Sequence, residues 1–188
     1  MNGGRRPELE LVRGGRPEGR ERPARITVAS GAGMPPPDAL VLEEDTWLIL
    51  SADMQVTEPA EHPVRLLTRL HDAEPAVPGK VLIRGEYPLT LLAVVHDFDA
   101  EPCCRPEWIE VALRRLLDIC RERRVATLGV PLFGVAHGRL LPEEVIPLMV
   151  RVLLDNEAVI PLSVQLDVPS GLKERVERLI SGLSPSSP

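Results

Sequence analysis

The sequence predicts an α/β domain in which helices pack against a layered sheet. Its second half alternates apolar strand patterns with amphipathic helix patterns, an order that is typical of this class. The chain has 188 residues, of which 44% are hydrophobic, so it can bury one sizeable core. Its formal net charge is −6 and only 3% of its residues are aromatic, which disfavours a nucleic-acid binder that relies on phosphate contacts or base stacking.

Two nearly continuous apolar runs predict strands that are buried on both faces, at 89–95 and at 125–133. Between them, 107–122 carries an apolar stripe at helical spacing, with charged residues on the other side. Pro106 precedes this stripe, as expected at the first position of a helix. The three segments together predict a strand–helix–strand unit.

The last third of the chain continues the alternation. A glycine-bearing loop at 134–139 leads into a helix whose first turn begins at Pro142 and holds two acidic residues. The segment 160–168 alternates apolar and polar residues and predicts a strand with one wet face. Pro161 favours an edge position for that strand, and an amphipathic helix follows it.

The first half predicts shorter elements. Strands are expected at 25–30 and 81–84. The apolar runs 39–42 and 47–50 flank the acidic residues 43–45, and this spacing predicts a β-hairpin with a charged turn.

Both termini differ in composition from the segment between them. Residues 1–24 hold six arginines with paired glycines and several prolines, and they predict a disordered basic tail. Residues 184–188 predict a second disordered tail. The folded domain is therefore expected at 25–183, with a further helix within 59–72.

The three cysteines, Cys103, Cys104 and Cys120, do not form a disulfide pattern or a zinc pattern. We therefore expect free thiols, a cytoplasmic location, no structural metal and no cofactor. No secretory signal and no apolar run long enough to cross a membrane is present in the sequence.

The loop after the second buried strand is the first candidate site. Ligands of α/β sheets bind at the carboxyl ends of strands, where free N–H groups and a helix N-terminus attract anions. This pattern predicts a site for a nucleotide-like or other anionic small molecule. Its residues are Gly134, Val135, Ala136, His137, Gly138 and Arg139.

The second candidate site follows the other buried strand. His96, Asp97 and Asp99 combine an imidazole with two carboxylates, which can bind a metal ion or perform acid–base chemistry. The alternative interpretation is a surface turn, because Asp side chains commonly bond to nearby backbone groups. We count His96 and Asp97 as candidate ligand-binding residues, and we consider a metal-assisted hydrolase that uses all three.

Several short motifs resemble those of macro domains, the ADP-ribose-binding family. The resemblance runs from about residue 25 to residue 183. It rests on DALV (38–41), PGKV (78–81), YPL (87–89), VVH (94–96) and VPLFG (130–134). It implies a three-layer α/β/α fold with a mixed central sheet, and a glycine loop that wraps the diphosphate of the ligand.

The sequence departs from the family where the family holds its ligand. An Asn-rich loop is expected after the second strand, whereas this chain has the acidic segment 43–45. The Asp that reads adenine in the family is replaced by 31–33, Gly-Ala-Gly. The loop that corresponds to the phosphate loop of the family is one residue shorter than in the family and contains His137. An acidic turn beside a diphosphate would also repel it.

These departures disfavour removal of ADP-ribose and predict a non-catalytic role. One version binds a nucleotide-like or other anionic small molecule at 134–139. The other has lost ligand binding and serves as a protein-interaction module, with a protein partner or a second copy docked on the strand 160–168. Nucleic acid is expected only at the basic tail, and no contact with membranes is expected.

Overall fold

The structure is a computed structural model that describes residues 25–29, 35–51, 74–154 and 162–183. It contains six strands, β1 (Arg25–Ala29), β2 (Ala39–Asp45), β3 (Val81–Arg84), β4 (Leu89–His96), β5 (Thr127–Pro131) and β6 (Ser163–Asp167). It contains three α-helices, α1 (Pro106–Arg123), α2 (Pro142–Leu154) and α3 (Lys173–Leu183), and a 3-10 turn at Ser170–Leu172 before α3.

The six strands form one mixed sheet in the order β1-β6-β5-β2-β4-β3. Every neighbouring pair is parallel except β3 and β4, which are antiparallel. The carboxyl ends of the five parallel strands therefore lie along one edge of the sheet. This edge is where an α/β sheet offers its loops and helix N-termini to a ligand.

The apolar runs of the sequence become the centre of the sheet. In β4, seven of the eight residues are buried and only Thr90 is half-buried, because β2 and β3 flank the strand on both sides. β5 lies between β2 and β6, as expected for a strand with three consecutive buried residues. The predictions of these two strands are confirmed, with β5 shorter than the predicted 125–133.

The three described helices pack against one another and against the sheet. α1 contacts α2, α2 contacts α3, and α1 and α3 also contact strands β4 and β1. α1 begins at Pro106, as predicted, and ends before Arg124, which adopts a left-handed conformation with φ of 57°. Among the described residues, no helix has the length and apolar character needed to span a bilayer.

The predicted hairpin at 39–50 is wrong. Residues 43–45 are the last part of strand β2, which pairs in parallel with β4, and the segment from Thr46 to Ser51 is a turn without strand pairing. Acidic residues have a low intrinsic strand preference, so the pattern indicated a turn. The structure instead gives their carboxylates hydrogen-bond donors from other segments.

The predicted edge position of the strand at 160–168 is also wrong. β6 lies between β1 and β5 and pairs in parallel with both. Pro161, which suggested an edge, lies outside the described residues, as do both predicted tails, the segment 31–33 and the predicted helix within 59–72.

Asp38 joins the start of β2 to the start of β5. Its Oδ2 accepts hydrogen bonds from the N–H groups of Ala126, at 3.0 Å, and Thr127, at 2.8 Å. Its own N–H donates to Thr127 Oγ1 at 2.8 Å. Burial alone would raise the pKa of Asp38, but the hydrogen bonds from Thr127 and Ala126 hold it below its ordinary value of 3.8.

Replacing Asp38 with Ala is expected to lower the free energy of unfolding by about 1–3 kcal/mol, because two backbone N–H groups lose a charged acceptor. Urea denaturation at pH 7 measures this. Asp118→Ala is the matched control, since Asp118 forms an exposed ion pair on α1, and it should change stability by less than about 1 kcal/mol. Equal effects of the two substitutions would contradict the assigned role.

The stabilisation by Asp38 should also depend on pH. The pKa of Asp38 is lower in the folded state than in the unfolded state. The ionised carboxylate therefore contributes its full stabilisation at pH values above the unfolded pKa, and this stabilisation is lost as the pH falls through the folded pKa. The stability difference between the wild type and Asp38→Asn should therefore be constant from about pH 5 to pH 7 and shrink below about pH 4. A difference that grows on acidification would exclude this explanation.

Candidate functional site

A cleft of about 730 Å³ lies at the carboxyl edge of the sheet. Its floor is formed by the ends of β1, β6, β5 and β2, which contribute Ala29, Asp167, Pro131 and Glu43. Most of the remaining wall is apolar. It consists of Pro35, Pro36, Pro37, Leu40, Gly129, Leu132, Val135, Ala136, Val168 and Pro169, with Gln165 and Ser170 as uncharged polar members.

The loop after β5 closes one side of this cleft. Gly134 has a φ of 70°, and its carbonyl oxygen accepts hydrogen bonds from the N–H groups of Gly138, at 2.9 Å, and Leu140, at 3.1 Å. These bonds fold the loop back on itself. Ala136 and His137 are left with N–H groups that donate to no acceptor among the described residues.

Both glycines of the loop are required by close packing. A Cβ on Gly138 would lie 2.4 Å from Cys104 Cβ and 2.8 Å from the Gly134 carbonyl oxygen. A Cβ on Gly134 would lie 2.7 Å from Leu140 Cδ1 and 3.0 Å from Cys104 Sγ. The glycines therefore allow the loop to sit directly on Cys104.

Glu43 connects the end of β2 to this loop. Its Oε1 accepts a hydrogen bond from the N–H of Gly134 at 2.5 Å, and its Oε2 lies 3.4 Å from His96 Nε2. Its side chain is 9% exposed and forms part of the cleft wall. Burial, followed by the negative charge of Glu43, raises the pKa of the Cys104 thiol to about 12.

The next two acidic residues hold the turn that follows β2. Asp45 is fully buried and accepts hydrogen bonds from the N–H groups of Trp47, Ile49 and Leu50, at 2.6–3.0 Å. Glu44 is also fully buried, and its Oε1 accepts hydrogen bonds from the N–H, at 3.0 Å, and the hydroxyl of Ser51. These carboxylates are structural groups that organise one rim of the sheet edge.

Solved macrodomain structures are similar to this fold. The Oceanobacillus iheyensis macrodomain with MES bound has a TM-score of 0.64 at 11% identity, over 85% of this chain and 92% of that chain. A mutant of the same macrodomain with ADPR has a TM-score of 0.62 at 12% identity, over 85% and 94%. The Trypanosoma brucei macrodomain in complex with ADP has a TM-score of 0.57 at 13% identity, over 82% and 68%.

The chain has a macro domain-like fold. The prediction of a three-layer α/β/α class with a mixed sheet is confirmed, and so is the resemblance on which it partly rested. No protein-family model matches the sequence, and no curated protein matches it.

The macro domain-like fold brings only part of the predicted loop site to the cleft. Val135 and Ala136 line it, whereas Gly134 and Gly138 are buried within the loop. His137 and Arg139 are exposed and do not line it. Binding of an anion by this loop stays a prediction, with the N–H of Gly134 already donating to Glu43.

The second predicted site is not assembled as a metal centre. His96 is fully buried, with its ring stacked on Phe98 and set edge-on to His137 at a centroid distance of 5.9 Å. Asp97 Oδ1 accepts the N–H of Asp99 at 3.1 Å, which is the surface turn considered as the alternative. Among the described residues, no group of three His, Cys, Asp or Glu side chains could hold a metal ion.

Two features of the His96 environment could not be expected from its motif. Its Nδ1 is buried and has no hydrogen-bond partner among the described residues, and its Nε2 faces Glu43. The residue that sequence reasoning missed is Glu43, which was assigned to a turn. The signal that could have identified it is its place directly after the apolar run 39–42, at the carboxyl end of a strand.

Gly138→Ala should lower the free energy of unfolding by about 1–3 kcal/mol, because the atoms that its Cβ would strike belong to backbone or lie next to it and cannot turn away. Urea denaturation measures this. Gly182→Ala in α3 is the control, since its Cβ meets nothing within 4 Å, and it should raise stability by up to about 1 kcal/mol. In a double-mutant cycle with Cys104→Gly, the two losses should be less than additive, because the second substitution removes the Cβ that the first would strike; fully additive losses would contradict the packing explanation.

Proposed function

We propose that this macro domain-like protein is a non-catalytic binding domain for a nucleotide-like small molecule. The observation that carries the proposal is the cleft at the carboxyl edge of the sheet, whose wall includes Val135 and Ala136 of the predicted loop site. Ligands of α/β sheets commonly bind at this edge. A volume of about 730 Å³ is within the range of roughly 300–1,000 Å³ that is usual for small-molecule pockets.

The chemistry of the wall suits a nucleoside. The prolines at 35–37, Leu40 and Val168 provide apolar surface for a flat base, and Gln165 and Ser170 provide hydrogen-bonding groups. Where a ligand carries a polar group at the loop, the N–H of Ala136 is available as a donor to it. Two solved structures with a similar fold contain ADPR and ADP, which supports a ligand of this class.

The absence of a catalytic group from the cleft supports a binding role. Among the described residues that line it, none is His, Cys, Lys, Arg or Tyr. Glu43 is engaged by the N–H of Gly134 and by His96. His96 itself is buried outside the cleft wall, and Asp97 and Asp99 form a surface turn.

The interaction-module alternative has lost the observation that favoured it. It required an edge strand at 160–168, and β6 is paired on both sides. Binding to a protein partner or to a second copy, nucleic-acid binding by the basic tail and a cytoplasmic location stay predictions from the sequence. Small-molecule binding is the function that the geometry favours.

Isothermal titration with adenosine, AMP and ADP-ribose tests the proposal. The wild type should bind at least one of them, and Ser170→Trp should weaken that binding at least about tenfold, because Ser170 is exposed and lines the cleft. Ser181→Trp, on an exposed position of α3, is the matched control and should bind normally. Release of ADP-ribose from an ADP-ribosylated protein would contradict the non-catalytic role, and no binding at millimolar concentration would reject the proposal.

A further inference from the structure

We propose that the negative charge of Glu43 makes the cleft selective for uncharged ligands, so that it binds a nucleoside more tightly than the phosphorylated forms of that nucleoside. This inference rests on the proposed function and specifies the ligand of the same cleft. The carboxylate of Glu43 accepts a hydrogen bond from the N–H of Gly134, the first N–H group of the loop. This donor is therefore not available to an anionic group of a ligand.

The position of this carboxylate is determined by contacts on both oxygens. Oε1 accepts the Gly134 N–H at 2.5 Å, and Oε2 lies 3.4 Å from Nε2 of the fully buried His96. Hydrogen bonds from fixed donors hold a carboxylate more firmly than water does. An anionic group that binds at the loop would therefore either lie close to the Glu43 carboxylate or have to displace it from Gly134 and His96.

No basic side chain among the described lining residues offsets this negative charge for the ligand. The two charged residues that line the cleft, Glu43 and Asp167, are both acidic, and no Lys, Arg or His lines it among the described residues. Arg139, the basic residue of the loop, is exposed and not part of the wall. In a partly buried site, where the effective dielectric constant is far below that of water, two like charges repel strongly.

Uncharged polar groups of a ligand are not repelled by the Glu43 carboxylate and can form hydrogen bonds with it. A ribose hydroxyl can donate a hydrogen bond to a carboxylate oxygen, whereas a phosphate has only acceptors to present to it. The N–H group of Ala136, a residue that lines the cleft, remains as a donor for the carbonyl or hydroxyl oxygens of such a ligand. The cleft wall can therefore form hydrogen bonds with a nucleoside, whereas it repels a phosphate group placed at the loop.

Titrations of adenosine, AMP and ADP-ribose into the wild type, Glu43→Gln and Asp167→Asn test the inference. The wild type should bind adenosine at least about tenfold more tightly than AMP. Glu43→Gln keeps an acceptor for the Gly134 N–H but removes the charge, so it should raise the affinity for AMP about tenfold while leaving that for adenosine within about threefold. Asp167→Asn removes the other acid of the cleft wall, which accepts no hydrogen bond from the loop among the described residues, and should raise the AMP affinity less than Glu43→Gln does.

A second measurement uses the wild type alone and can overturn the inference even if Glu43→Gln does not fold. Salt screens repulsion as well as attraction, so raising it from about 50 to about 500 mM should strengthen AMP binding relative to adenosine. A phosphate site that attracts its ligand would show the opposite dependence.

The outcomes separate this inference from the proposed function. Tighter binding of AMP than of adenosine by the wild type would overturn the role of Glu43 and leave the binding function standing. An equal gain in AMP affinity in Asp167→Asn and Glu43→Gln would also overturn it, because selectivity would then come from the total charge of the cleft. Failure of all three proteins to bind any of the three compounds would reject both.

Discussion

The buried acidic end of β2 is the constraint on which the shape of the sheet edge depends. Glu44 and Asp45 are fully buried, Glu43 is nearly so, and a buried carboxylate is costly unless donors surround it. In each case backbone N–H groups supply the donors, from the turn after β2 for Glu44 and Asp45, and from Gly134 for Glu43. Both loops must therefore take the conformations that present those groups, and the loop after β5 thereby contributes Val135 and Ala136 to the cleft wall.

The glycine loop shows how one sequence pattern can serve two structural purposes. Glycines after a strand are typical of a loop whose backbone approaches a bound anion, because a side chain would prevent the approach. In this structure the group that approaches Gly134 and Gly138 from within the protein is Cys104. Both purposes require the absence of a Cβ, so the sequence pattern could not distinguish them. Only the packing of the loop against the segment after β4 does so.

Much of the fold could be predicted because its central elements carry a strong local signal. The apolar runs of β4 and β5 and the stripe of α1 are continuous in the sequence, and burial of that apolar surface dominates their stability. The errors concern contacts between distant segments. The pairing of β6 with β1 joins Ser163 to Arg25, and the N–H group that holds the Glu43 carboxylate comes from Gly134, 91 residues away. Neither of these contacts produces a recognisable pattern in the local sequence.

The thiol beneath the loop has a chemical consequence. Burial raises the pKa of the Cys104 thiol to about 12, so the thiolate, the form that attacks peroxides and disulfides, is scarce at neutral pH. Added oxygen atoms on this sulfur would collide with Gly134 and Gly138, which already approach it closely. Low reactivity of this thiol therefore preserves the packing of the loop that contributes Val135 and Ala136 to the cleft wall.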